Sequence, residues 1–146
     1  MSTPDGIPAF LVQQVQAAYS EDIANQIFDG YQQAAQRPTT LRANTLKASA
    51  DDVAAALDEA GIPYEHVPWY KDAFVVDAPS ERDVWGMDIY RKGGIYLQSL
   101  SSMLPPLALA PREGADILDM CAAPGGKTSQ IAALTQGQAH LTACEM

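Results

Sequence analysis

Ala115-Asp-Ile-Leu-Asp-Met-Cys-Ala-Ala-Pro-Gly-Gly-Lys-Thr-Ser-Gln130 is the stretch that decides the fold. Its run of Ile117, Leu118 and Met120 fits a buried strand of a parallel sheet. From Cys121 to Gly126, small residues, a proline and paired glycines make a turn whose backbone a ligand can approach. Beyond Lys127 the pattern is helical. Ile131 and Leu134 share a face, Ala132 and Ala133 keep helix propensity high, and Gly137 is placed as a stop. Strand, glycine loop and helix form the front of a nucleotide-binding βαβ unit. The start of such a helix offers unpaired N–H groups and a partial positive charge to an anionic ligand group.

Spacing narrows the ligand. A phosphate-binding loop needs Gly-x-x-x-x-Gly-Lys-Thr; Gly126-Lys127-Thr128 meets its end, but its first glycine would fall on Cys121. The dinucleotide fingerprint Gly-x-Gly-x-x-Gly is also absent. A second strand is expected over Ala139-His-Leu-Thr-Ala-Cys144, ending on Glu145, 19 residues beyond Gly126. An acid at that point accepts hydrogen bonds from ribose hydroxyls, and its charge disfavours a 2′-phosphate. Loop and acid together suit an adenosine with a zwitterionic tail, as in S-adenosylmethionine. A tight glycine turn of an ordinary α/β protein, with Glu145 merely solvated, fits the same spacing.

Three stretches carry a resemblance. Asp119-Met-Cys-Ala-Ala-Pro-Gly-Gly-Lys-Thr128 resembles the S-adenosylmethionine motif of the Nol1/Nop2/Sun family of RNA cytosine-5 methyltransferases, in its bacterial ribosomal RNA branch. Gly94-Ile-Tyr-Leu-Gln-Ser-Leu-Ser-Ser-Met-Leu-Pro105 is similar to the segment before that motif, and Leu41-Arg-Ala-Asn-Thr-Leu-Lys47 to the signature of the family's N-terminal domain. The resemblance implies an α/β fold: the beginning of a doubly wound, Rossmann-like methyltransferase sheet, preceded by a small α+β domain like an RNA-recognition module. It implies S-adenosylmethionine as cofactor, held by Cys121, Ala122, Ala123, Pro124, Gly125, Gly126, Lys127 and Glu145, and RNA, ribosomal RNA in particular, as substrate.

In that family the thiolate attacking ring C6 and the thiol for release lie in motifs downstream of the cofactor acid. The chain stops one residue after Glu145. The expectation is therefore an N-terminal fragment, inactive alone, with no catalytic residue assigned. Cys121 reads as structural in the loop, and Cys144 as a small buried strand residue without a His or Lys neighbour. The alternative reading is a non-catalytic module that binds S-adenosylmethionine or a basic protein partner.

Composition bounds the rest. A hydrophobic content of 47% excludes disorder, and no apolar run approaches a membrane span. The N-terminus lacks a secretory signal pattern, and two cysteines make neither a disulfide framework nor a zinc site, so cytoplasmic residence without a metal is expected. The net charge of −9 opposes an RNA footprint. Residues 1–92 hold seven Lys and Arg against 14 Asp and Glu, and residues 93–146 hold two against four. Neither part alone is expected to bind RNA tightly.

Along the chain, Ile7, Leu11, Val15 and Tyr19 predict a helix from about Pro8 to Tyr19. Ser20 caps a second, with Ile23, Ile27, Phe28 and Tyr31 on one face, reaching about Ala35. Residues 39–46 alternate as a strand, setting Leu41 and Ala43 opposite Arg42 and Asn44. Ser49 and Asp52 form a capping box for a helix ended by Gly61. Strands follow at Tyr64–Val67 and Ala73–Asp77, then a short helix from Ser80 to Asp88, a strand at Ile95–Gln98 and a helix at Ser99–Leu109, kinked or restarted by Pro105 and Pro106. Arg37, Arg42 and Lys47 read either as phosphate contacts or as solvated charge, and Trp69 and Tyr70 as base-stacking or turn-packing rings. His66 and His140 read as incidental. The domain boundary is expected near Lys92, giving domains 1–92 and 93–146.

Overall fold

The computed structural model describes residues 6–34, 37–76 and 81–146. It divides into two compact units, 1–37 and 38–146. In the first, helices α1 (Ala9–Ala18) and α2 (Glu21–Ala34) follow the expected apolar spacing. Val12 and Val15 of α1 pack on Ala24 and Phe28 of α2, with Ile7, Leu11 and Ile27 around them. Glu21 and Asp22 sit in the first turn of α2, where carboxylates complement the helix dipole. The predicted end of this helix at Ala35 lies outside the described residues.

The second unit opens with β1 (Thr39–Ala43), α3 (Ala50–Glu59), β2 (Tyr64–His66) and β3 (Ala73–Val76). The short helices α4 (Glu81–Trp85) and α5 (Asp88–Arg91) lead to β4 (Ile95–Leu97). The four strands form one sheet in the order β2-β3-β1-β4, every neighbouring pair antiparallel. β3 thus lies between β1 and β2 and splits their βαβ unit, which is the ferredoxin-like arrangement. β4 lies beyond the expected boundary at Lys92, yet Leu41, Arg42 and Ala43 of β1 pair with Leu97, Tyr96 and Ile95. The sheet of the N-terminal part therefore extends past that residue.

Both faces of this sheet are covered. On one, Leu41, Ala43, Phe74, Val76 and Ile95 meet Val53 and Leu57 of α3 and Val84 of α4 in a core without solvent access at most positions. On the other, Ala73 and Val75 meet Val67 and Tyr70 of the β2–β3 connection and Met103 of α6 (Leu100–Leu109). After α6 come β5 (Asp116–Asp119), α7 (Gly126–Leu134) and β6 (His140–Ala143). β5 and β6 are parallel, with Asp116 to Asp119 in register with His140 to Ala143, so the βαβ unit expected from the sequence is present.

Several details differ from expectation. β1 ends at Ala43 because Lys47 N–H returns to Asn44 O at 2.7 Å and closes a turn. Instead of one helix up to Asp88 there are two, since Gly86 follows α4 and Met87 adopts an extended backbone before α5. The ends predicted at Asp77 and Ser80 lie outside the described residues. Leu118 is 60% and Met120 73% exposed, so β5 is not the buried strand its composition suggested. Among the described residues it pairs with β6 alone.

The capping box at α3 is present. Asp52 N–H donates to Ser49 Oγ, while Ser49 N–H and Oγ–H donate to Asp52 Oδ2 at 2.8 and 2.7 Å. The Ser49 hydroxyl, then the Ser49 backbone N–H, hold the Asp52 carboxyl below its ordinary range. A depressed folded-state value stabilises above the unfolded carboxylate value, about 3.9, and that stabilisation is lost as pH falls through the folded value. Asp52→Asn should accordingly lower Tm at neutral pH, and the gap from the parent should close as pH falls below about 4. Circular dichroism melts across pH check this; a gap constant with pH would show that the charge contributes nothing.

Candidate functional site

The loop between β5 and α7 lies at the carboxyl ends of two parallel strands, where α/β sheets bind ligands. Asp119, the last residue of β5, fixes it at both ends. Its Oδ1 accepts from Cys121 N–H at 3.1 Å, and its Oδ2 accepts from Thr128 Oγ at 2.6 Å. Ala122 N–H donates to Cys144 O at 3.1 Å, so the loop also leans on the end of β6. The Ala123–Pro124 peptide is cis. Gly125 then takes φ 105°, a backbone that L side chains rarely adopt, and α7 begins. The first backbone bond of the helix is Ser129 N–H to Gly125 O at 2.8 Å, which leaves the N–H groups of Gly126, Lys127 and Thr128 ahead of the intrahelical ladder.

All eight residues expected to hold a cofactor are at this end of the βαβ unit. Cys121, Ala123 and Pro124 are exposed, while Ala122, Gly125, Gly126 and Lys127 are half-buried. Glu145, distant in sequence, is brought to the loop: its Oε2 accepts from Ala123 N–H at 2.9 Å. Its Oε1 accepts from Met146 N–H at 3.3 Å. Cys144, expected to be a buried strand residue, follows the last residue of β6 and is exposed, as is most of that strand. Among the described residues, no three His, Cys, Asp or Glu side chains cluster as metal ligands.

Behind the loop is a polar network that sequence reasoning missed. Arg42 is neither a phosphate contact nor solvated; it has no exposed surface. It projects from β1 on the face opposite Leu41 and Ala43, toward α6 and α7. Its Nε donates to Gln98 Oε1 at 3.1 Å, Nη1 to Ala43 O at 3.1 Å, and Nη2 to Ser129 Oγ at 3.0 Å. Burial lowers its pKa, opposed by the nearby Tyr70, Asp72 and Tyr96. Asp72 is moved up by its own burial, against the attraction of Lys71 and Arg42.

Gln98 is the hub. Its Nε2 donates to Gln130 Oε1 at 2.9 Å and to Ser102 O at 3.1 Å. Ser102 is four residues before Pro106, which lacks the N–H that would occupy that carbonyl in a helix. The glutamine amide supplies the missing donor, so the prolines sit inside α6 without an orphaned group at this point. Gln130 Nε2 donates to Met103 O at 3.0 Å and completes the tie between α6 and α7. The signal available in sequence was the alternation of β1, which put Arg42 on a face that a second layer would bury.

The aromatic candidates resolve differently. Tyr70 is buried in the second core, while Trp69 remains 48% exposed and lies parallel to it at 6.5 Å between ring centroids. His66 packs against Phe74, with ring centroids 4.7 Å apart. His140 Nδ1 lies 3.1 Å from Asp116 Oδ1 at the exposed start of the parallel pair.

Comparison with known proteins bears on both parts of the chain. Residues 7–83 match the family described as "Methyltr_RsmF/B-like, ferredoxin-like domain", and residues 106–146 that described as "16S rRNA methyltransferase RsmB/F". Over 110 residues the chain is 39% identical to a ribosomal RNA small subunit methyltransferase F of Shewanella amazonensis, covering 73% of this chain and 23% of that protein. Over 99 residues it is 48% identical to a human 28S rRNA (cytosine(4447)-C(5))-methyltransferase, covering 67% and 12%. A solved methyltransferase homolog protein from Pyrococcus horikoshii is 32% identical with a TM-score of 0.67, covering 94% of this chain and 48% of that one. The chain thus spans less than a quarter of either curated relative's length.

Gln98→Leu removes three hydrogen bonds from the network at nearly constant volume. The orphaned Ser102 carbonyl and Gln130 amide oxygen, and the freed Arg42 Nε, should together destabilise the protein by at least about 2 kcal/mol. Urea denaturation measures this. A loss under about 0.5 kcal/mol, the range of ordinary surface changes, would mean that other partners replace the glutamine.

Proposed function

The chain belongs to the Nol1/Nop2/Sun family, in its ribosomal RNA methyltransferase branch, and on that footing we propose that it binds S-adenosylmethionine for forming 5-methylcytosine in RNA, ribosomal RNA in particular. The observation that carries the reading is the seating of Glu145 on the Ala123 N–H, beside the Gly125–Gly126 turn that opens α7. An acid suited to ribose hydroxyls and backbone N–H groups suited to a carboxylate thus share one loop, which supports the reading.

The residues fit the cofactor. A carboxylate accepts through several lone pairs, so Glu145 can keep its bond to Ala123 and still receive two ribose hydroxyls. The leading N–H groups of α7, in the positive field of the helix start, suit the carboxylate of the cofactor's amino-acid tail. Gly125 and Gly126 let the ligand approach the main chain, where a side chain would stand in the way. Cys121, Ala122, Ala123, Pro124 and Lys127 complete the loop. When bound, the cofactor supplies the methyl group for cytosine C5. Neither thiol is assigned to attack on the ring: Cys121 belongs to the cofactor loop, anchored by its own N–H on Asp119, and Cys144 follows the neighbouring strand.

RNA as substrate rests on family membership, since the chain's own charge of −9 gives no basic footprint. Among the described residues no helix is long and apolar enough to cross a membrane, and we assign the protein, with its free thiols, to the cytoplasm.

Calorimetric titration with S-adenosylhomocysteine tests the cofactor assignment. Hydrogen bonds to a charged group contribute about 1.5–3 kcal/mol, so Glu145→Ala should weaken binding roughly ten- to a hundredfold. Gly125→Val should be at least as damaging, both by filling the approach and by the strain of φ 105°. Cys121→Ser should bind much as the parent does. Parent-like binding by Glu145→Ala would remove the acid from the ribose site. With this chain joined to the family's downstream cysteine motifs, labelled methyl from S-adenosylmethionine appearing as 5-methylcytosine in ribosomal RNA tests the reaction itself, and transfer to another RNA position or to protein would overturn it; the 146 residues alone should transfer none.

A further inference from the structure

Arg42 is an expensive residue to bury. A fully enclosed guanidinium costs several kcal/mol unless its donors are met, and a hydrophobic residue of similar volume would avoid that cost. Among the described residues no carboxylate lies within ion-pair distance of it; the ion pairs are Arg91–Asp88 and His140–Asp116. Its hydrogen-bond partners are neutral, with Asp72 attracting it only from a distance, and two of its contacts lead to the same short piece of backbone.

The first route runs through Ser129, whose hydroxyl accepts from Arg42 Nη2 and donates to Gly126 O at 3.2 Å. The second runs through Tyr96 of β4, whose ring lies 5.7 Å from the guanidinium carbon and whose hydroxyl donates to Pro124 O at 3.0 Å. Gly125, with its positive φ, sits between the two gripped carbonyls. Close approach is part of the arrangement, since a Cβ on Gly126 would come within 3.3 Å of the Tyr96 ring.

A trans peptide is planar, so its C=O and N–H point in opposite directions. Holding Pro124 C=O toward Tyr96 aims Gly125 N–H away from the sheet. Holding Gly126 C=O toward Ser129, along the axis of α7, turns Lys127 N–H the opposite way, toward the N-terminal end of the helix. We infer that Arg42 is a positioning residue for the cofactor loop, orienting the Gly125 and Lys127 peptides through Tyr96 and Ser129, so that the ferredoxin-like sheet sets the geometry of the cofactor site. The inference deepens the S-adenosylmethionine reading and rests on it for its functional consequence, though not for its structural one.

Tyr96→Phe and Ser129→Ala each delete one hydroxyl without uncovering the arginine, and Arg42→Lys keeps the charge while losing the planar fork. In the full chain, S-adenosylhomocysteine affinity should fall about three- to tenfold for each hydroxyl deletion and at least as much for Arg42→Lys. Tm for Tyr96→Phe should stay within about 3 °C of the parent, whereas Ser129→Ala, which leaves Arg42 Nη2 without its acceptor, should lower Tm as well. Backbone ¹⁵N order parameters of Gly125 and Lys127 in the free protein should drop in all three variants, and those in α3 should not. A purely structural role would lower Tm while the folded fraction bound the ligand normally and the loop amides kept their order, and that result overturns the inference. Should the parent fail to bind S-adenosylhomocysteine, the cofactor reading falls, and the positioning claim is decided by the loop order parameters alone.

Discussion

A guanidinium with no exposure and no carboxylate in direct contact must have its donors satisfied, and much of the second unit is arranged around that constraint. Arg42 can sit where it does because β4 pairs alongside β1, which brings Gln98 and Tyr96 to the same face. Gln98 in turn needs the carbonyl that Pro106 leaves open in α6 and the amide of Gln130 in α7. Three elements distant in sequence are thus tied by groups that would each be costly to leave unpaired. Apolar packing on this face, from Ala73, Val75 and Met103, closes the layer but specifies no register of its own. The polar contacts do, since each needs a particular donor and acceptor within hydrogen-bond distance.

The same constraint explains why the ferredoxin-like sheet and the βαβ unit form one compact body. The Asp119 carboxylate spans the loop from below, meeting Cys121 and Thr128, while Tyr96 and Ser129 hold its carbonyls from the side of the sheet. The N–H groups of Gly126, Lys127 and Thr128 lie ahead of the helical ladder of α7, and Glu145 is seated on the Ala123 N–H of the same loop. Backbone polarity does most of the work at this site. Side chains chiefly decide which way each peptide faces.

Much of this was legible in the sequence where a local rule applied. The capping box at Ser49 and Asp52, the glycine stop at Gly61, the helix expected from Lys127 and found from Gly126, and the parallel partner strand expected up to Glu145 and found at His140–Ala143 all follow from short-range chemistry. Elements whose fate depends on a distant neighbour were not legible. Arg42 looked like a surface cation because nothing near it in sequence announces Gln98 or Ser129, 56 and 87 residues away. Tyr96 and Gln98 fell beyond the expected boundary at Lys92, although their strand belongs to the first sheet. Leu118, Met120 and Cys144 read as buried, but burial of a strand depends on what lies beside it, and β5 has one partner among the described residues. Composition gave the right residue types there and could not give their surroundings.

The central claim is that the Cys121–Lys127 loop and Glu145 make one cofactor site. An amide-resolved NMR titration of the protein with S-adenosylhomocysteine reads that site directly. The account predicts saturable shifts concentrated at Ala123, Gly125, Gly126 and Lys127 and at the residues around Glu145, with α3 and the first two helices unchanged. Shifts that avoid this loop, or that fall on it without reaching Glu145, would contradict the claim.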